Sequence, residues 1–169
     1  MTPERFAGTW YHSVKDESLV DKILAGGGWQ PDLVNNTIYG AAIYLARTNW
    51  YCDQAARRII ACELSLAENE TMDVFDASQI DANLGNGRSS KHLRFFFQTM
   101  QVPSHKNAEK GMSDSNQARK RFFLERGIKA IMFEEYKDVD VIAVYDPSVI
   151  INVRGVLREN VEDCPVRPI

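Results

Sequence analysis

An α+β domain with a mixed, largely antiparallel sheet is the fold class this sequence predicts, and three observations predict it. Apolar runs of strand length recur through both halves of the chain. Only a few segments carry helical spacing, and the last three runs follow one another with no helix-length segment between them. With 169 residues, of which 44% are hydrophobic, the chain suits one domain over 1–169 with a full core; two domains would be cramped.

The first strand falls over 9–13. Asp16 caps a helix in which Leu19, Val20, Ile23 and Leu24 recur at helical spacing. Gly26-Gly27-Gly28 ends it, because glycine takes the left-handed conformation that a helix end needs. That glycine run is no phosphate loop: it follows a helix, not a strand, and no lysine-serine or lysine-threonine pair comes after it. Asn35-Asn36 turns the chain into the apolar run 41–46. Thr48 or Asn49 caps a helix to about Arg58, and 59–66 follows as a strand whose later part alternates apolar and polar. A short strand is expected over 72–75, then a loop over 80–90, rich in Asn, Gly and Ser, and a helix over 90–100. The stretch 101–115 has little apolar content and reads as a mobile loop before a helix over 115–126 that Gly127 stops. Strands over 130–134, 139–145 and 150–156 close the fold.

No segment approaches the roughly eighteen apolar residues of a membrane span, and no basic stretch followed by an apolar one opens the chain, so the expectation is a cytoplasmic protein with no membrane partner. Cys52, Cys62 and Cys164 lack the paired close spacing of a zinc site or a disulfide framework; they read as free thiols, with no metal expected. Net charge is -3, but it is unevenly placed: between Asn86 and Ala130 ten Lys or Arg, including Arg88, Arg119, Lys120, Arg121 and Lys129, face three acids, a local balance of +7. A basic face of that kind attracts phosphate backbones, although a solvated helix surface is the commoner outcome.

The chemistry-bearing residues gather early. Trp10-Tyr11-His12 is followed by 38–52, which holds Tyr39, Tyr44 and Tyr51. An imidazole with flat rings can grip a ribose and sandwich a heteroaromatic ring, since rings stack on aromatic faces and sugar hydroxyls need fixed polar partners.

These residues also resemble a known family. Tyr11-His12-Ser13 resembles the histidine-containing first strand of the ADP-ribosyltransferase fold. Ala42-Ile43-Tyr44-Leu45-Ala46 with Asn49-Trp50-Tyr51-Cys52 resembles the glycine-isoleucine-tyrosine-phenylalanine-alanine block of its poly(ADP-ribose) polymerase and diphtheria-toxin-like branch. Val144-Tyr145-Asp146-Pro147-Ser148-Val149-Ile150 is similar to the late strand near the family's catalytic glutamate. The blocks keep the family's order across nearly the whole chain.

The resemblance implies a split β-sandwich and NAD as co-substrate. It implies that His12 meets the adenosine-side ribose, that Ser13 stands where relatives carry a glycine whose backbone grips the nicotinamide amide, and that Tyr44 and Tyr51 stack, with Tyr39 and Trp50 as alternates. Counting back from Asp146, Val141 occupies the glutamate position, so the carboxylate must come from Glu135 or Glu134, with Asp140 next. The expected function is mono-ADP-ribosyl transfer in a compact bacterial or phage-type toxin, defence or host-takeover enzyme, with a possible cognate antitoxin. DNA or RNA docked on the basic region Arg88 to Lys129 is the expected acceptor, and a protein acceptor is the alternative. Two other classes remain: a catalytically inactive NAD-binding relative, and a nucleic-acid-binding domain whose rings stack bases directly.

Overall fold

The computed structural model of the protein describes residues 1–14, 17–29, 40–49, 57–73, 108–136 and 139–163, with side chains except at 108–115 and 134–136. Among these, seven strands and two helices are formed: β1 (Trp10–His12), α1 (Glu17–Leu24), β2 (Ile43–Ala46), β3 (Arg58–Leu64), β4 (Thr71–Asp73), α2 (Ala108–Glu125), β5 (Ala130–Tyr136), β6 (Val139–Val144) and β7 (Ile150–Leu157). The expected helices over 48–58 and 90–100 and the loop over 80–90 fall wholly or mostly outside the described residues, as does the Asp16 cap.

The strands join in the order β4-β5-β6-β2-β1-β3-β7. Only β4 and β5 run parallel; the other neighbours are antiparallel. The α+β class and the largely antiparallel sheet therefore hold. The described strands form a single hydrogen-bonded sheet, where the family resemblance implies two halves.

Alternation along the strands sends side chains to two faces. On one face Ala42, Tyr44, Ala46, Ile131, Phe133, Val141 and Ala143 pack with Phe122 and Phe123 of α2. On the other, Trp10, Ile43, Leu45, Met132, Ile142 and Val144 pack with Phe6, and α1 adds Val20 and Ile23 against Ile60. Burying each large side chain of this kind contributes about 1.5–3 kcal/mol. Asp21 of α1 accepts both guanidinium nitrogens of Arg58, at 3.1 and 3.2 Å, which ties the helix to the start of β3.

The N-terminal residues close the second face. Thr2 Oγ1 donates to the Leu64 carbonyl at 2.8 Å, Arg5 pairs with the buried Asp73, and the Trp10 indole donates to the Phe6 carbonyl at 2.9 Å.

One expectation is corrected. Residues 108–115 belong to α2 and are not loop. Ala108, Glu109, Lys110 and Met112 are good helix formers, so propensity continues the helix where apolar periodicity gives no signal. Its other end matches expectation: Gly127 adopts φ +74, and the Ile128 N–H returns to the Phe123 carbonyl at 3.0 Å, which satisfies the last turn.

Candidate functional site

The described parts of the three blocks lie on three adjacent strands, β6, β2 and β1, at the centre of the sheet or in the turn that leads on from β6 to β7. β-pairing creates this adjacency from segments far apart in the chain: Tyr11 sits opposite Ala46, and Tyr44 opposite Ala143. The same register parts the side chains. Tyr11 shares the α2 face with Ala46 and Tyr44, while His12 stands on the other face with Trp10.

His12 thus reaches Tyr44 through its carbonyl and not through its ring. The Nδ1–H donates to the Tyr44 carbonyl oxygen at 3.0 Å, an assignment that follows because a carbonyl can only accept. The imidazole also meets the Trp29 ring edge-on at 5.3 Å. Burial pushes its pKa below the usual histidine value, and the bond to Tyr44 offsets only part of that. His12 is a neutral imidazole pinning β1 to β2, with Nε2 left as an acceptor.

Tyr44 is held from the α2 side. Its hydroxyl donates to the Gly40 carbonyl at 2.7 Å, and its ring meets Phe133 edge-on at 6.1 Å. Gly40 has φ +91, and the Ala41 N–H donates to the Asn116 carbonyl at 3.1 Å, so the turn before β2 is docked on α2. Arg119, one turn on from Asn116, is buried beside Tyr44 and Tyr145. Burial lowers its pKa, and the two phenols act the other way.

Ser13 is half-buried just past β1. Tyr39, Tyr51 and the alternate Trp50 lie outside the described residues. Glu134 pairs with Asp140, and Glu135 falls at the register shift between Glu134 and Tyr136; the side chains of both glutamates are outside the described set. Asp140 is exposed, and its charge is felt by Arg47, whose guanidinium stacks 3.7 Å over the Trp10 ring and donates to the carbonyls of Thr9 and Arg5. Asp140 therefore stands on the Trp10 face, across the sheet from Tyr44. Val141, in the resembled glutamate position, is fully buried on the Tyr44 face.

The third block is used for packing and turning. Tyr145 stacks on Phe123 with centroids 5.0 Å apart, and Asp146 accepts from the Ser148 N–H at 2.9 Å to cap the short 3-10 turn Pro147–Val149.

Among the described residues the basic stretch does not form one face. Arg119 is buried, Lys129 pairs with Glu70 at 2.7 Å, and Arg126 lies 3.4 Å over the Phe122 ring. This corrects the placing of Arg119 on a docking surface: as one of only two buried charged side chains among the described residues, it serves the core side of α2. Arg121 remains exposed; Arg88, Lys91, Arg94 and Lys106 lie outside the described residues. Among the described residues no group of three His, Cys, Asp or Glu is placed to hold a metal ion, and no helix is long and apolar enough to cross a membrane.

Sequence reasoning assigned no role of their own to Tyr11 and Arg154, which line one groove of the structure. Tyr11 was visible beside His12, but only the register shows that it, and not His12, shares a face with Tyr44. No protein-family model matches the chain, and no curated protein or solved structure gives a match.

Proposed function

We propose that this chain is an NAD-dependent mono-ADP-ribosyltransferase acting on a macromolecular acceptor, nucleic acid before protein. The observation that carries the reading is the adjacency of β6, β2 and β1, which draws together the described parts of the three blocks that resemble the family and links His12 to the Tyr44 carbonyl at 3.0 Å. In the reaction the bond between nicotinamide and its ribose breaks, with the electron pair leaving on neutral nicotinamide. The acceptor atom bonds to the same anomeric carbon and gives up its proton. Positioning and stabilisation of the oxocarbenium-like ribose contribute most of the rate. Glu135 supports that role best, as it falls at the register shift two residues beyond Phe133, which touches Tyr44; Glu134 pairs with Asp140 and so takes a register position on the opposite face. Asp140, on the opposite face of the sheet from Tyr44, likewise supports it less.

A second reading, an NAD-binding protein without transfer, is favoured by the buried Val141 in the resembled glutamate position. Incubation with NAD labelled in the nicotinamide or in the adenosine, with separate protein, DNA and RNA pools, separates the two. Nicotinamide release with label on one pool supports transfer, and its loss in Glu134→Gln or Glu135→Gln with NAD affinity retained would locate the carboxylate. Binding without release supports the second reading. No binding and no release would end both.

A further inference from the structure

A groove of about 350 Å3 opens on the Tyr44 face of the sheet, over β1, β3 and β7, away from the strands that α2 covers. Its floor follows from the register. Tyr11 pairs with Ala61, and Ala61 with Arg154, so one row of side chains crosses three strands with a methyl group in the middle. At about 4.8 Å per strand the phenol ring and the guanidinium stem stand about 10 Å apart, with Ala61 leaving the space between them open. Asn160 and the buried Val161 form the outer wall. That wall is anchored at both ends: the Arg158 N–H donates to the Arg57 carbonyl at 2.9 Å and the Asn49 N–H to the Glu162 carbonyl at 3.1 Å.

Arg154 is oriented before any ligand arrives, since its guanidinium donates to the Asn152 carbonyl at 3.1 Å and to Thr9 Oγ1 at 3.2 Å. Its ion pair with Glu63 is loose, 3.8 Å between half-exposed side chains, and such pairs are weak in water, so the positive charge remains available to an anion. The groove therefore presents a ring to stack on, an apolar floor, a carboxamide at the rim and a fork for an anion.

We propose that it binds a nucleoside carrying a 5′-phosphate, with the base on Tyr11 and the phosphate at Arg154. Ligand sites span about 300–1,000 Å3, so this one, near the lower bound, suits one nucleotide unit and not a whole dinucleotide. The unit could be a free mononucleotide, one residue of a single strand, or the adenylate half of NAD. The inference goes beyond the transferase reading and does not require turnover of NAD.

The test is calorimetric titration of the full chain with adenosine 5′-monophosphate, adenosine, a ten-residue adenosine oligonucleotide and NAD. Wild type is compared with Tyr11→Ala, Tyr11→Phe and Arg154→Gln, each checked by circular dichroism. Tyr11→Ala should weaken the phosphorylated ligands roughly tenfold and Tyr11→Phe should not, because stacking needs the ring alone. Arg154→Gln should erase the preference for the monophosphate over adenosine. Tighter binding of the oligonucleotide, with a log-log salt slope that Arg154→Gln reduces by about 0.7, identifies a strand as the source. Equal affinity for monophosphate and oligonucleotide identifies the free nucleotide, and displacement of the monophosphate by NAD identifies its adenylate half. The proposal is overturned if none of the phosphorylated ligands binds at millimolar concentration, or if folded Tyr11→Ala and Arg154→Gln both bind as wild type does. Should Tyr11→Ala fail to fold, Arg154→Gln alone decides. NAD turnover could fail while the monophosphate still binds, so the two readings fall separately.

Discussion

Replacing Gly40 by alanine tests the join between α2 and the Tyr44 block. The new Cβ would lie 2.6 Å from the Cβ of Arg119 and 2.7 Å from the Asn116 carbonyl oxygen. Neither is the free end of a flexible side chain, so α2 or the turn must move. Gly40 also has φ +91, where an L side chain is strained by about 1–3 kcal/mol. Overpacking adds about 1–3 kcal/mol, while the stiffer unfolded chain returns about 0.4–1 kcal/mol. The net loss is about 3 kcal/mol, which lowers Tm by roughly 6–12 °C in a chain of this size. Gly26→Ala is the control: its φ is +92, but nothing lies within 4 Å of the added carbon. The control suffers the strain without the collision, so the two variants should differ by the overpacking alone, about 1–3 kcal/mol. Urea and thermal unfolding of both variants measure that difference. Equal stability would mean that α2 does not press on Gly40 as described.

Two other outcomes are expected. His12 is half-buried and neutral with a lowered pKa, so below the ordinary histidine value near 6.5 the unfolded chain binds a proton that the folded one resists. Stability should therefore rise with pH through that window and level off above it. His12→Gln should flatten the part of this rise that carboxylates do not cause, as read from urea midpoints at several pH values; an unchanged slope would remove His12 as its source. Burial also pushes the Cys62 thiol up to about 12, and the residue is fully enclosed. Iodoacetamide at mildly alkaline pH should leave Cys62 unmodified in the folded chain and alkylate it in urea, as peptide mapping would show; rapid labelling in the native state would contradict its place between the layers.

Local chemistry determined much of the architecture by itself. The spacing of Val20 and Ile23, the glycines after α1, the stop at Gly127 and the apolar runs that became β5, β6 and β7 are signals within a few residues of one another, and the α+β class follows from them. Tertiary structure alone decided which side chains meet. His12 and Tyr44 stand on opposite faces because Tyr11 pairs with Ala46, and a one-residue slip would have reversed that. Asp140 falls on the face opposite Tyr44, Arg119 turns into the core, and Tyr11, Ala61 and Arg154 line up across three strands, all through contacts between distant segments. A strand's pattern tells that two faces exist, but the partner strands and their register choose the neighbours on each, and those choices depend on burial summed over the whole sheet.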